Sequence, residues 1–206
     1  MKKFLAACLV LVITTTITYI MLTKQKPIKF CALPSYAPFV IIDKDNRIIG
    51  GFDVDLSKAM CKGMGTECKF ILQQKRTQLL ESLNSGKCDA WISCFTISPD
   101  RKKHMEFTKS YYPSSASLIA AKTSTFTAKN KALKDKRIGV TAGSNFITYL
   151  KITHGYDITI VEFNNIHDAL DALKTNKVDG VISDTPLLQY WMQQKDNKDF
   201  QLIDLP

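Results

Sequence analysis

The chain has 206 residues, 45% of them hydrophobic and 23% charged, with a net charge of +9. This length and apolar share predict a globular protein of one or two domains and exclude a disordered or fibrous chain. The lysines are spread rather than clustered and few aromatics interleave with them, which argues against nucleic acid as a partner.

Lys2-Lys3 followed by the apolar run Phe4 to Leu22 has the outline of an export signal. No small-x-small cleavage site follows, so a single-span inner-membrane anchor is the rival reading, since 19 residues just cross a bilayer. Four threonines between Thr14 and Thr18 weaken that rival. Without residues 1–24 the net charge falls to about +6. Leu5-Ala6-Ala7-Cys8 has the form of a lipoprotein box, but too little apolar sequence precedes it.

Export fits six cysteines. Cys61 falls late in a helix and Cys68 at the start of a strand, with Gly63 and Gly65 between them to turn the chain. A disulfide there would staple helix to strand. Zinc is the alternative, but a second ligand pair is missing and the three histidines are scattered, so neither metal nor cofactor is expected. Cys31, Cys88 and Cys94 read as small core residues, with Cys31 and Cys94 as possible neighbours at adjacent strand ends.

Ile28 to Leu33 reads as the first strand, and Pro34-Ser35-Tyr36-Ala37-Pro38-Phe39 as a rigid loop presenting two aromatic faces. A hairpin over Val40 to Ile49 follows, then a helix capped by Asp53 and running to about Met64. Lys69 to Leu72 is a strand, and Thr77 to Asn84 a helix turning Leu79, Leu80 and Leu83 inward.

Ala90 to Ile92 is short enough for one buried strand, and Ser98-Pro99-Asp100 opens a helix. Lys87-Cys88-Asp89-Ala90-Trp91-Ile92-Ser93 is repeated as Lys177-Val178-Asp179-Gly180-Val181-Ile182-Ser183, with a matching helix upstream of each. Two similar α/β lobes are therefore expected rather than one long sheet. After the first strand come Ser93, Thr96 and Arg101, donors suited to a carboxylate. After the second comes Asp184. A zwitterion held between the lobes satisfies both charges.

The second half reads as strands Ser117 to Ala121, Arg137 to Thr141, Ile158 to Phe163, Gly180 to Ser183 and Phe200 to Leu205. Helices alternate with them at Ser144 to Lys151, Ile166 to Leu173 and Thr185 to Gln194. Ile166, Ala169, Leu170 and Leu173 share one helix face.

The order Tyr-Ala-Pro-Phe, Gly-Phe-Asp-Val-Asp-Leu, Asp-Ala-Trp-Ile-Ser, Ser-Pro-Asp-Arg and Phe-Thr-Lys-Ser-Tyr-Tyr resembles the polar amino-acid family of bacterial periplasmic solute-binding proteins. Those proteins feed ABC importers, and the lysine/arginine/ornithine- and histidine-binding branch is the nearest likeness. The resemblance covers Ile28 to about Pro206 and implies the type II periplasmic-binding-protein fold, two α/β lobes around a ligand cleft. It implies residues 25–112 as lobe 1, 113–116 as the hinge crossing and 117–206 as lobe 2. An early Cys-x6-Cys disulfide of that branch matches Cys61 and Cys68.

The resemblance also implies roles. Tyr36 takes the place of the aromatic stacked on the ligand; Ser93, Cys94 (through its backbone), Thr96 and Arg101 take the α-carboxylate. Ser144 and Asn145 are donors at a helix N-terminus, and Asp184 holds the α-ammonium. Helix capping by Ser144 or Asp184 and loop packing by Tyr36 are the alternatives, and capping is compatible with binding.

Three departures stand out. Leu33 replaces an Asp that serves cationic ligands, and Arg76 replaces a second stacking aromatic, which together point to a neutral or acidic amino acid. In the family the chain returns to complete lobe 1, whereas here it stops at Pro206, so lobe 1 is expected to lack its C-terminal return segment. A shortened working binder, a truncated non-functional one and a partner-completed one all follow from that pattern.

The expected function is thus extracytoplasmic capture of a polar amino acid for an ABC transporter permease in the inner membrane, without catalysis. A periplasmic dehydratase-like enzyme would need an acid or base in the cleft, and Glu81, His104 and His154 lie away from strand ends. A tethered sensory domain would need a signalling domain that this sequence does not encode.

Overall fold

The computed structural model describes residues 13–15, 25–34, 36–124, 126, 133–155 and 157–205. The reading of 1–24 as a leader lies outside them except for three residues. Among the described residues no helix is long and apolar enough to cross a membrane.

In chain order the first half runs β1 (Ile28–Ala32), β2 (Ile41–Ile42), β3 (Ile48–Gly50), α1 (Phe52–Gly63) and β4 (Cys68–Leu72). A 3-10 turn (Arg76–Gln78), α2 (Leu79–Asn84), β5 (Ala90–Trp91) and the short α3 (Pro99–Lys102) complete it. The second half runs β6 (Ala116–Ala121), β7 (Lys136–Thr141), α4 (Asn145–His154), β8 (Ile158–Phe163) and α5 (Ile166–Lys174). Then come β9 (Gly180–Asp184), α6 (Thr185–Met192), a second 3-10 turn (Lys195–Asn197) and β10 (Phe200–Asp204).

Two α/β lobes result. One has a parallel sheet in the order β4-β1-β5, with β2 and β3 as a separate antiparallel hairpin. The other has a mixed sheet in the order β10-β6-β9-β7-β8, where β10 and β6 are antiparallel to their neighbours and β9, β7 and β8 are parallel. Side chains alternate across that sheet. Ile119 and Val181 join an apolar cluster with Phe30, Phe39, Val54 and Leu170. Leu118 and Ile182 face the other way onto Ile138, Val140 and Leu150.

The sequence repeat is a structural repeat down to single hydrogen bonds. At the end of α2, Gly86 takes φ 67 and donates to the Leu83 carbonyl; at the end of α5, Asn176 takes φ 57 and donates to Leu173. Gly and Asn are the residues that tolerate this left-handed cap. One step on, Asp89 clamps the start of β1, accepting from the Lys29 amide at 2.8 Å, while Asp179 accepts from the Arg137 amide of β7 at 2.8 Å. Lys29 and Arg137 each reach back to the carbonyl of the cap residue, Gly86 and Asn176. Each strand thus leaves the same socket in parallel register.

Local detail departs from expectation in two places. The 3-10 turn ahead of α2 changes the helix phase, so Leu79 and Ser82 are buried while Leu80 and Leu83 are half-buried. The cap of α1 is Gly51, not Asp53. At φ 119 only glycine fits, and a Cβ there would collide with the Phe39 carbonyl. Asp53 instead lies fully buried in the first turn, where its Oδ2 accepts from the Cys94 amide at 2.7 Å. It ties α1 to the loop after β5.

Cys61 and Cys68 form a disulfide, as expected between helix and strand. Cys31 pairs with Cys88, a residue 57 positions away, and Cys94 is a buried free thiol. Cys31 and Cys88, expected as small core residues, are thus buried but disulfide-bonded, and Cys94 alone of the three keeps its thiol. Cys88 precedes β5, whose register beside β1 places Trp91 opposite Cys31. Non-reducing peptide mapping should recover Cys31 with Cys88. Replacing Cys88 with Ser should lower unfolding stability by about 2–4 kcal/mol under oxidising conditions.

Burial pushes the Asp53 carboxyl up to about 6, against the pull of the Cys94 amide and the Tyr111 hydroxyl. A folded value above the ordinary 3.8 means the folded state binds the proton more tightly, so stability rises as pH falls through that interval. Asp43, Asp100 and Asp179, held low by their cationic or amide partners, lose stabilisation only below it. His154, lowered by partial burial, acts in the opposite sense. Comparison with Asp53→Asn cancels these common contributions. From pH 7 to pH 5 the wild type should gain about 1 kcal/mol relative to that variant in denaturant unfolding.

Candidate functional site

Five segments converge between the lobes: the loop after β1, the 3-10 turn before α2, the loop from β5 into α3, and the starts of α4 and α6. Asp184 ends β9 and is the N-cap residue of α6, yet its side chain makes no cap hydrogen bond. It is 6% exposed; its Oδ2 accepts from the Tyr36 hydroxyl at 2.5 Å and its Oδ1 from Ser114 Oγ at 3.3 Å. Burial raises the Asp184 carboxyl, while the Tyr36 bond, the Arg76 charge and Ser114 pull it down. Tyr36 is buried too, and burial together with Asp184 holds its phenol well above the usual range. The phenol is therefore the donor.

Arg101 is delivered by α3. Ser98 caps that turn, accepting from the Arg101 amide at 3.3 Å, and Pro99 occupies the first position as expected. The guanidinium lies 3.7 Å from the Phe95 ring centroid and donates to the Thr96 carbonyl at 2.8 Å and the Gly143 carbonyl at 3.1 Å. The second of these bonds crosses to the other lobe. Burial, and then Arg76, lower the Arg101 guanidinium to about 10, which leaves it charged at neutral pH. Gly143, at φ +72, permits the approach, because a Cβ there would sit 3.2 Å from Thr77 Cγ2.

Arg76 stands among these groups. It is 6% exposed, its guanidinium carbon lies 5.4 Å from the Tyr36 ring centroid and 5.4 Å from that of Phe95, and its buried Nε has no partner. Open space lies beside this cluster rather than within it. A pocket of about 280 Å³, counted with the solvent it opens onto, is lined by Leu33, Tyr36 and Gln74 from one lobe and Thr141, Asn164 and Ile166 from the other.

The remaining residues of interest divide into two groups. Ser93 Oγ accepts from the Leu33 amide at 2.8 Å and the Cys94 amide serves Asp53, so both are partnered within the protein. The Cys94 thiol, with φ 46, is pushed up to about 12 by burial and by Asp184 and Asp53, and stays protonated. Thr96 is exposed and contributes its carbonyl to Arg101. Ser144 is the N-cap residue of α4 with a buried hydroxyl that has no partner, and Asn145 is half-buried at the first position of that helix. The structure brings Tyr36, Arg76, Arg101 and Asp184 into one region. Phe95, Ser114 and Gly143 were not singled out. An aromatic inside a hydroxyl-rich loop was the one visible signal for Phe95.

The sequence profile of the bacterial extracellular solute-binding proteins, family 3, matches residues 28–142. ABC transporter arginine-binding protein 1 of Escherichia coli is 37% identical over 166 residues, 81% of this chain and 66% of that protein. Putative ABC transporter arginine-binding protein 2 of the same organism is 34% identical over 197 residues, 96% of this chain and 76% of that protein. A solved Salmonella typhimurium periplasmic binding protein, described for its high arginine specificity, superposes with TM-score 0.79 at 31% identity, covering 87% of this chain and 78% of that one. The fold resemblance read from the ordered motifs and the matched profile agree: the chain belongs to family 3 of the bacterial extracellular solute-binding proteins.

Proposed function

We propose that this chain captures a polar amino acid between its two lobes outside the cytoplasm and delivers it to an ABC transporter permease in the inner membrane, without catalysing a reaction. One observation carries the reading. A half-buried cation from one lobe, Arg101, and a buried anion from the other, Asp184, lie close enough to act on each other, and each already touches the opposite lobe through Gly143 and Tyr36.

In this reading residues 25–112 form lobe 1, 113–116 the crossing and 117–206 lobe 2, with residues 1–24 serving as the export signal or anchor. The ligand α-carboxylate pairs with Arg101, aided by Thr96, Ser144 and Asn145 at the α4 N-terminus. The α-ammonium pairs with Asp184, displacing or sharing the Tyr36 and Ser114 hydrogen bonds, and the Tyr36 ring covers the aliphatic stem. Closure brings both charges out of water together, which is favourable only if each meets its partner. Glu81 and His104 lie on the surface and His154 at the end of α4, outside this cluster, which supports binding over acid–base chemistry.

Titration calorimetry against amino acids is the direct test. A ligand at about 100 times its dissociation constant should stabilise the wild type by roughly 2.7 kcal/mol. Arg101→Ala and Asp184→Asn should each weaken binding of that ligand by about 2–5 kcal/mol. Unchanged affinity in both variants would place the ligand elsewhere.

A further inference from the structure

Arg76 is a charge without a bonded counter-charge: the carboxylate that acts on it, Asp184, accepts its hydrogen bonds from Tyr36 and Ser114. Its side chain is 94% buried by its 6% exposure, its Nε finds no acceptor, and no ion pair to Arg76 occurs among the described residues. The charged groups that act on it are Arg101 and Asp184, while Tyr36 and Cys94 are neutral. Asp53 is engaged with the Cys94 amide on the side of α1. The cleft therefore presents two guanidinium groups against one available carboxylate, Asp184. With Arg76 and Asp184 buried and Arg101 half-buried, the cluster holds one more positive group than negative ones.

A zwitterionic ligand does not correct this. Its carboxylate and ammonium satisfy Arg101 and Asp184 and leave Arg76 unmatched. A cationic side chain worsens it, and it also finds its best position taken. Tyr36, which bonds Asp184, and Phe95 supply aromatic faces in this cluster, and aromatic faces attract cations. Arg76 itself occupies the space between those rings, 5.4 Å from each centroid. A ligand with a second carboxylate supplies the missing charge, and Arg76 Nε and the Ser144 hydroxyl are buried donors that have no partner.

We infer that Arg76 sets ligand selection: its guanidinium fills the slot between Tyr36 and Phe95 and makes the cleft a site for an amino acid with an anionic side chain, not a cationic one. This rests on the amino-acid-capture reading and deepens it. Arg76 acts as the protein's own occupant of the cation position and as the hydrogen-bond donor to the ligand's distal carboxylate.

Calorimetry of the full chain with glutamate, aspartate, glutamine, arginine and lysine, repeated for Arg76→Phe and Arg76→Gln, tests it. Glutamate or aspartate should bind the wild type roughly tenfold or more tighter than arginine, lysine or isosteric glutamine. Arg76→Gln should abolish the preference for acid over amide, and Arg76→Phe should reverse the order of acid and cation. Arginine or lysine binding the wild type in preference, or glutamine matching the acids, overturns the assignment while the capture reading stands. If the wild type takes an acidic amino acid but Arg76→Gln keeps the full acid preference, the assignment to Arg76 is wrong. Binding of no amino acid to the wild type sinks the capture reading, and this inference with it.

Discussion

The carboxylate of Asp184 is the constraint on which the cleft depends. Taken out of water it needs donors, and those donors come from parts of the chain that are far apart in sequence. Tyr36 arrives 148 positions earlier, from the loop after the first strand, and Ser114 from the segment that leads into β6. Any motion that parts the lobes breaks the Tyr36 bond and returns both groups to solvent. Closing without a ligand and closing around one thus differ in what Asp184 meets. In the proposed function, the affinity for a ligand ammonium is the difference between that ammonium and the donors already present, not its full pairing energy.

The two lobes acquire opposite charges although they are built from one repeated unit. Helix, left-handed cap, clamping aspartate and buried strand recur bond for bond up to Ser93 and Ser183. Divergence begins at the next residue. After Ser183 the chain turns at once into α6, so Asp184 is held at the mouth of the strand with little freedom. After Ser93 the chain enters a loop, with Cys94 in the left-handed region, and the cation comes only when α3 presents Arg101. That loop has no sheet to hold it. Its anchor is the Asp53 carboxylate on the Cys94 amide, so a residue in the first turn of α1 positions the cation at the cleft.

How much of this was legible in the sequence follows from whether each feature is local. Strand and helix order, the repeat, the Ser98-Pro99 helix start and the inward face Ile166-Ala169-Leu170-Leu173 all come from spacing within a short window, and the structure keeps them. Arg101 and Asp184 were visible because each follows one copy of the repeated strand, at a helix start, whereas Tyr36 came only from the family resemblance. Asp53 was misread as a cap because its true partner is 41 positions away. Cys88 gave no sign of its partner for a similar reason: only the β1–β5 register brings it to Cys31. Phe95 carries two guanidinium groups, and nothing in its immediate neighbours distinguishes it from a core aromatic.

Arg76 is where local and global consistency part. A buried arginine in a short 3-10 turn contributes no apolar packing that a smaller or aromatic residue could not match, and its partnerless Nε carries a desolvation cost. Cation–π contacts with Tyr36 and Phe95 offset part of that cost, on the order of 1–2 kcal/mol each when desolvated. They satisfy the ring faces and leave the hydrogen-bonding edge of the guanidinium unmet. Folds retain such unmatched groups chiefly where another molecule completes them. Arg101 acts on the same guanidinium, and Gly143, just ahead of α4, lies by the Arg76 stem, so positive potential from two guanidinium groups and a helix N-terminus adds in one neighbourhood. An arrangement with so much positive potential and one carboxylate is stable when a negative group enters, and that is a property of the closed cleft rather than of either lobe alone.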